Sequence, residues 1–82
     1  MSAFDDLNLL RAFVRIVEAG SISGGARLLN LPQPTLSRHL KTLEGHCGTA
    51  LLRRDTHQMN LTEAGQRFLT DVRAVLAADR RQ

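Results

Sequence analysis

Apolar side chains recur at spacings of three and four residues along much of the chain, which is the pattern of amphipathic helices. In the first such stretch the apolar positions are Leu7, Leu10, Phe13, Val14 and Val17. Asp5 or Asp6 can cap the start of this helix, and Gly20 stands where a C-terminal glycine belongs. The pattern therefore predicts an opening helix that ends close to Gly20.

A second and a third helix are predicted on either side of a tight turn at residues 30–32. The second is short and can be capped by Ser21 or Ser23. The third runs from about Gln33 to Cys47, and Glu44 falls near the flank of its apolar stripe. That stripe consists of Leu36, Leu40, Leu43 and Cys47. The opposite face carries two cations, two hydroxyls and no acid, and it consists of Pro34, Thr35, Arg38, Lys41 and Thr42.

Two short, partly alternating runs at 51–54 and 58–61 predict a small β-hairpin, with residues 55–57 as its polar turn. Thr62 is a good cap for a last helix that extends to about Arg80. The apolar positions of this helix are Ala64, Phe68, Leu69, Val72, Val75 and Leu76.

The apolar stripe of the last helix is too broad for an isolated, exposed helix. One part is expected to pack on the domain, and another part is expected to pair with a second chain. The predicted dimerisation residues are Phe68, Leu69, Val72 and Leu76. In the alternative, the whole stripe belongs to the core of one chain.

Two helices joined by a tight turn, the second with a basic outer face, are typical of a helix-turn-helix, and the following hairpin predicts its winged form. The predicted fold is therefore mainly α. Residues 1–61 form a winged helix-turn-helix, a three-helix bundle with a small β-hairpin wing, and residues 62–82 form a long linker and dimerisation helix. A B-DNA major groove about 12 Å wide admits one α-helix. The pattern favours DNA binding, and a winged-helix module that binds proteins is the alternative.

The positive net charge favours an anionic partner such as nucleic acid, and the composition argues against several other classes of function. The chain has 82 residues, one cysteine, three histidines and a net charge of +3. No apolar run is long enough for a transmembrane helix, and the first residues do not form a signal peptide. A single cysteine fits a reducing cytoplasm, and Cys47 is expected to be a small core residue. No constellation of catalytic residues or metal ligands is present, so neither an enzyme nor a cofactor is expected.

Several motifs, in the right order from about Leu7 to Leu76, resemble the DNA-binding domain of LysR-type transcriptional regulators. They are Leu10–Val14, Glu18–Ile22, Ala26–Leu29, Gln33–Arg38, Leu43-Glu44, Gly48, Leu51, Arg54 and Leu61–Gly65. The resemblance implies a bacterial regulator that binds double-stranded promoter DNA as a dimer, often within a tetramer. Members of this family normally continue into an effector domain, so an excised DNA-binding domain or an unusually short regulator is expected.

The resemblance, together with the basic outer face, assigns the DNA contacts. Gln33 and Pro34 are expected to touch base edges, and Ser37 and Arg38 are expected to touch bases and phosphates in the next turn. The full predicted set is Gln33, Pro34, Thr35, Ser37, Arg38, Lys41, Arg53, Arg54 and His57. Arg27 is a further candidate for a phosphate contact.

The chain departs from the pattern of the family at several positions. Pro32 replaces the serine that caps the recognition helix, so about 1 kcal/mol of capping energy is missing there. Gly25 replaces an alanine, Leu52 replaces the phenylalanine of the wing, and His57 replaces a basic residue, commonly arginine, that approaches the minor groove. These departures leave the fold intact and change the expected base preference and the grip of the wing.

Overall fold

A computed structural model describes residues 7–54 and 59–80. In chain order its elements are α1 (Leu7–Ala19), α2 (Ile22–Leu29), α3 (Gln33–Cys47), β1 (Leu52–Arg54), β2 (Met59–Leu61) and α4 (Glu63–Arg80). The winged helix-turn-helix fold with a long C-terminal helix is confirmed. The caps predicted at Asp5 or Asp6 and the hairpin turn at 55–57 lie outside the described residues.

Local hydrogen bonds explain where α1 ends and where α2 begins. The Gly20 N–H donates to the Ile16 carbonyl over 2.9 Å, and Gly20 has a φ of +78°, which glycine adopts without strain. Of the two candidate caps for α2, Ser21 is the one used, because its side-chain oxygen accepts from the Gly24 N–H over 2.9 Å.

The turn between α2 and α3 is built on Asn30, which has a left-handed φ of 56°. The Leu31 N–H donates to the Ala26 carbonyl over 2.9 Å, and the Asn30 N–H donates to the Arg27 carbonyl over 3.2 Å. This pair of bonds is a Schellman motif, in which asparagine is the usual substitute for glycine. It ends α2 sharply and lets α3 begin three residues later.

The core lies between the helices and the base of the hairpin. Its seven largest fully buried side chains are Phe13, Leu10, Ile16, Leu36, Leu43, Leu51 and Val72. Phe13 on α1 and Phe68 on α4 meet edge to face, with ring centroids 5.5 Å apart. Helix α4 is therefore fastened to the helix-turn-helix by an aromatic pair.

The hairpin pairs β1 with β2 in an antiparallel register that places Leu52 opposite Leu61 and Arg54 opposite Met59. It is also tied to the helices, since the Met59 N–H donates to the Gly20 carbonyl over 3.1 Å. The wing is thus anchored to the corner between α1 and α2.

Thr62 confirms its predicted role as the cap of α4 and also ties the helix to the hairpin. Its hydroxyl oxygen accepts from the Gly65 N–H over 2.9 Å and donates to the Ala50 carbonyl over 2.8 Å. Its own N–H donates to the Leu51 carbonyl over 3.0 Å. The Cα of Gly65 lies so close to Leu51 that a Cβ would overlap the Leu51 carbonyl oxygen.

One expectation for α4 is wrong. Phe68, Leu69 and Val72 do not expose excess apolar surface, because the core of the same chain buries them to 9%, 8% and 0% exposure. Leu76 and its neighbour Val75 are only partly buried at the edge of this core. The first half of α4 therefore packs into the core that also contains α1 and α3.

Candidate nucleic-acid interface

Helix α3 separates a buried face from an exposed, cationic face. Leu36, Leu40 and Leu43 point inward and have exposures of 0%, 7% and 0%. The predicted contact residues lie outward: exposed Gln33, Pro34, Arg38 and Lys41, and half-buried Thr35 and Ser37. All the sequence-predicted contacts of this helix are therefore at least partly accessible, while its apolar stripe is buried.

The first turn of α3 combines a rigid start with an exposed amide. Pro32 occupies the cap position in an extended conformation and makes no side-chain capping bond, as its lack of a side-chain oxygen predicts. Its carbonyl accepts from the Thr35 and Leu36 N–H groups over 3.1 and 3.2 Å. Pro34 suits the first turn because its missing N–H has no partner in a helix there. Gln33 is left exposed at the tip of the helix.

The cations on α3 are available for a ligand. The Arg38 guanidinium makes a long 3.4 Å hydrogen bond to the Thr35 hydroxyl, which holds it along the outer face of the helix. Among the described residues, neither Arg38 nor Lys41 forms an ion pair with an acid. Their charges are therefore free to meet a polyanion.

The wing presents two more arginines. Arg53 and Arg54 are both exposed on β1. Successive strand residues point to opposite faces, so these two guanidinium groups leave the hairpin in different directions. The third cationic candidate of the wing, His57, lies outside the described residues.

One residue of this surface has a contact that the sequence did not predict. The Glu44 carboxylate on α3 accepts hydrogen bonds from the N–H groups of Leu51 and Leu52, over 2.7 and 3.3 Å. Sequence reasoning placed Glu44 near the flank of the core stripe, which is correct. The signal in the sequence was a single acid beside the apolar stripe of a helix whose outer face carries no acid.

Sequence comparison identifies the family to which this fold belongs. The model of the bacterial regulatory helix-turn-helix proteins of the LysR family matches residues 7–66. The chain belongs to this family.

Among its relatives, the regulator BudR of Raoultella terrigena is 43% identical over 72 residues, which are 88% of this chain and 25% of BudR. The SDS degradation transcriptional activation protein of Pseudomonas sp. (strain ATCC 19151) is 41% identical over 76 residues, which are 93% of this chain and 25% of that protein. The chain thus spans about a quarter of the length of these LysR-family relatives.

Solved structures of LysR-family proteins share the fold closely. The CbnR DNA-binding domain in complex with DNA superposes with a TM-score of 0.88 at 34% identity, covering 93% of this chain and 87% of that one. The BenM DNA-binding domain with catB site 1 DNA gives a TM-score of 0.89 at 33% identity, covering 93% and 85%. The chain therefore has the fold of a LysR-type DNA-binding domain.

Cys47, the single cysteine of this LysR-type domain, has the surroundings of a core residue. Cys47 is half-buried and packs against the core, as expected for a small apolar residue. Burial raises the pKa of its thiol, and the nearby charge of Glu44 raises that pKa further, so both favour the neutral thiol over the thiolate. The described residues contain no group of three or more potential metal ligands, and none of their helices is long and apolar enough to span a membrane.

Proposed function

We propose that this LysR-type domain binds double-stranded promoter DNA, with α3 in the major groove and the hairpin against the backbone or minor groove. The observation that carries the proposal is the cationic outer face of α3, where Arg38 and Lys41 have no acidic partner among the described residues. CbnR and BenM, which share this fold, have been crystallised with DNA.

The first turns of α3 carry the base contacts. The Gln33 amide is exposed at the tip of the helix and can bond to adenine with both its oxygen and its nitrogen. The Pro34 ring beside it can contact a thymine methyl group. Thr35 and Ser37 are half-buried on α3, and their hydroxyl groups can donate hydrogen bonds to the phosphates of the DNA backbone.

Phosphate contacts are assigned to the cations. Arg38 and Lys41 lie about one and two turns beyond Gln33 along α3, and Arg53 and Arg54 extend from the wing. Arg27 on α2 is exposed and is a further candidate. For His57 the proposal rests on the sequence alone, with the minor groove as its expected site. Such contacts position the protein without reading the sequence.

A protein-binding role for the same surface is not favoured, and the response to salt separates the two functions. Phosphate contacts release counterions, so the affinity for DNA falls steeply as salt rises, whereas an apolar protein interface changes little. We therefore expect selection from random duplexes to recover a common sequence, bound with a steep negative log–log salt slope. Recovery of no common sequence, or a flat salt response, would contradict the proposal.

Replacing Gln33 by alanine should relax base preference. We expect a loss of about 1–3 kcal/mol on the selected sequence and little change on unrelated duplexes, because only the bidentate base contact is removed. Titration of both duplexes at one salt concentration measures the difference. Gln66→Ala, which removes an exposed glutamine from α4, is the matched control. Equal losses on both duplexes would remove Gln33 from the base contacts.

Replacing Arg38 or Lys41 by alanine should weaken binding to all duplexes. Each lost phosphate contact lowers the magnitude of the log–log salt slope by about 0.9. The slope is measured over a series of salt concentrations, with Arg67→Ala as a control that removes an equal, exposed charge from α4. A slope that stays the same as in the control would show that the cation does not touch phosphate.

We further propose that the domain acts as a cytoplasmic homodimer on an inverted repeat, through the part of α4 that its own core leaves uncovered. The half-buried Leu76 near the end of α4 supports this choice. The matched residues make up 25% of BudR from Raoultella terrigena, and we propose that a tetramer forms in a whole regulator of that kind. These relatives are transcriptional regulators, and we propose no enzymatic activity for the domain.

A further inference from the structure

We propose that Glu44 is a positioning residue that locks the wing to the recognition helix, so that α3 and β1 meet the duplex as one rigid unit. The inference rests on the proposed function, because it concerns how the wing cations reach DNA. It assigns a role in DNA binding to a side chain that need not touch DNA itself.

The geometry of the contact carries the inference. Glu44 lies in the last turns of α3, and the same carboxylate oxygen accepts from two successive N–H groups, those of Leu51 and Leu52. The side chains of both leucines are buried, to 1% and 7% exposure. Hydrogen bonds to an ionised acceptor are stronger than neutral ones, and a buried N–H without a partner is costly. The start of β1 is therefore held firmly at a fixed place beside α3.

Two other sets of hydrogen bonds connect the described part of the wing to other helices. Met59 on β2 bonds to Gly20 at the end of α1, and Thr62 at the start of α4 bonds to Ala50 and Leu51. These bonds hold β2 and the two ends of the hairpin in place. Glu44 makes hydrogen bonds that reach the wing from the recognition helix itself.

The wing cations follow this anchor directly along the chain. Arg53 and Arg54 are the next two residues after Leu52, and both are exposed. A shift of the anchored N–H groups therefore moves the arginines relative to α3. Because major-groove and wing contacts must form together, a loose wing loses ordering entropy on binding and weakens the complex.

Glu44→Ala removes the acceptor, and Glu44→Gln keeps a neutral one. With Glu44→Ala we expect faster amide hydrogen exchange at Leu51 and Leu52 in the free protein. Its affinity for the selected duplex should fall by about 5- to 20-fold, which lies within the range of coupling between residues that share contacts. Glu44→Gln should stay within about threefold of the wild-type affinity, because its amide oxygen can still accept a hydrogen bond.

A double-mutant cycle separates positioning from a simple loss of stability. In a background with both Arg53→Ala and Arg54→Ala, Glu44→Ala should lower the affinity by less than about twofold, because neither of the arginines that follow the anchored N–H groups remains to be placed. In the Gln33→Ala background it should keep its full effect. Glu18→Ala, which removes one exposed acid from α1, controls for net charge. All variants are compared below their melting temperatures, with circular dichroism confirming that each is folded.

The possible outcomes are distinct. Two results would overturn the positioning role. One is an equal loss of affinity from Glu44→Ala with and without the two wing arginines. The other is an affinity of Glu44→Ala equal to the wild type once the effect of Glu18→Ala on net charge is subtracted. If the wild-type domain bound no duplex with a sequence preference and a salt slope, the proposed function would fail and the positioning role with it. Amide exchange at Leu51 and Leu52 would then still report whether the Glu44 anchor exists.

Discussion

Replacing Phe68 by alanine is expected to lower the free energy of unfolding by about 3–5 kcal/mol, the range for large aromatic residues removed from a core. Phe68 is 9% exposed and meets the Phe13 ring edge to face, so its loss leaves a cavity between α4 and α1. Small domains have a total stability of about 5–15 kcal/mol. The substitution therefore removes a large share of it.

The same experiment separates a core residue from a dimer contact. The Phe68→Ala loss, measured by chemical denaturation, should not depend on protein concentration, because the lost contacts lie within one chain. Leu76→Asp should leave each chain folded and reduce dimerisation in sedimentation, since Leu76 is only partly buried. A Phe68→Ala loss that grew with protein concentration would restore Phe68 to the dimer interface.

Replacing Gly65 by alanine is expected to destabilise the domain by about 3 kcal/mol, the upper end of the usual range for overpacking. The added Cβ would overlap the Leu51 carbonyl oxygen, which is backbone and already accepts from the Thr62 N–H. Relief requires α4 to move away from the start of the wing. Thermal or chemical unfolding measures the loss.

Gly45→Ala is the matched control for this substitution. Gly45 is also in a helix, but no atom lies within 4 Å of the position its Cβ would take. Alanine there should raise the free energy of unfolding by up to about 1 kcal/mol, because alanine is the better helix former. Equal effects at both glycines would show that α4 does not approach Leu51 as closely as the structure has it.

Local sequence patterns predict the helix boundaries and the residue types of the proposed interface. The bounds of α3 and the outward side of Arg38 and Lys41 follow from residue spacing, because the helical period of 3.6 residues sets the face of each side chain. The cap at Thr62 follows from its residue type at the start of a helix. The hairpin was predictable from two alternating runs around a polar turn. Family motifs then led to the proposal that Gln33 contacts a base.

The sequence by itself determined the elements, the cationic face and the family, because each depends on residues that are neighbours along a helix or in a motif. Tertiary structure alone decided which apolar residues of α4 remain exposed, since burial of Phe68 and Val72 depends on how α1 lies against them. It also decided the partner of Glu44. That carboxylate meets N–H groups seven and eight residues away, and no spacing rule specifies such a distance once the chain has turned at Gly48.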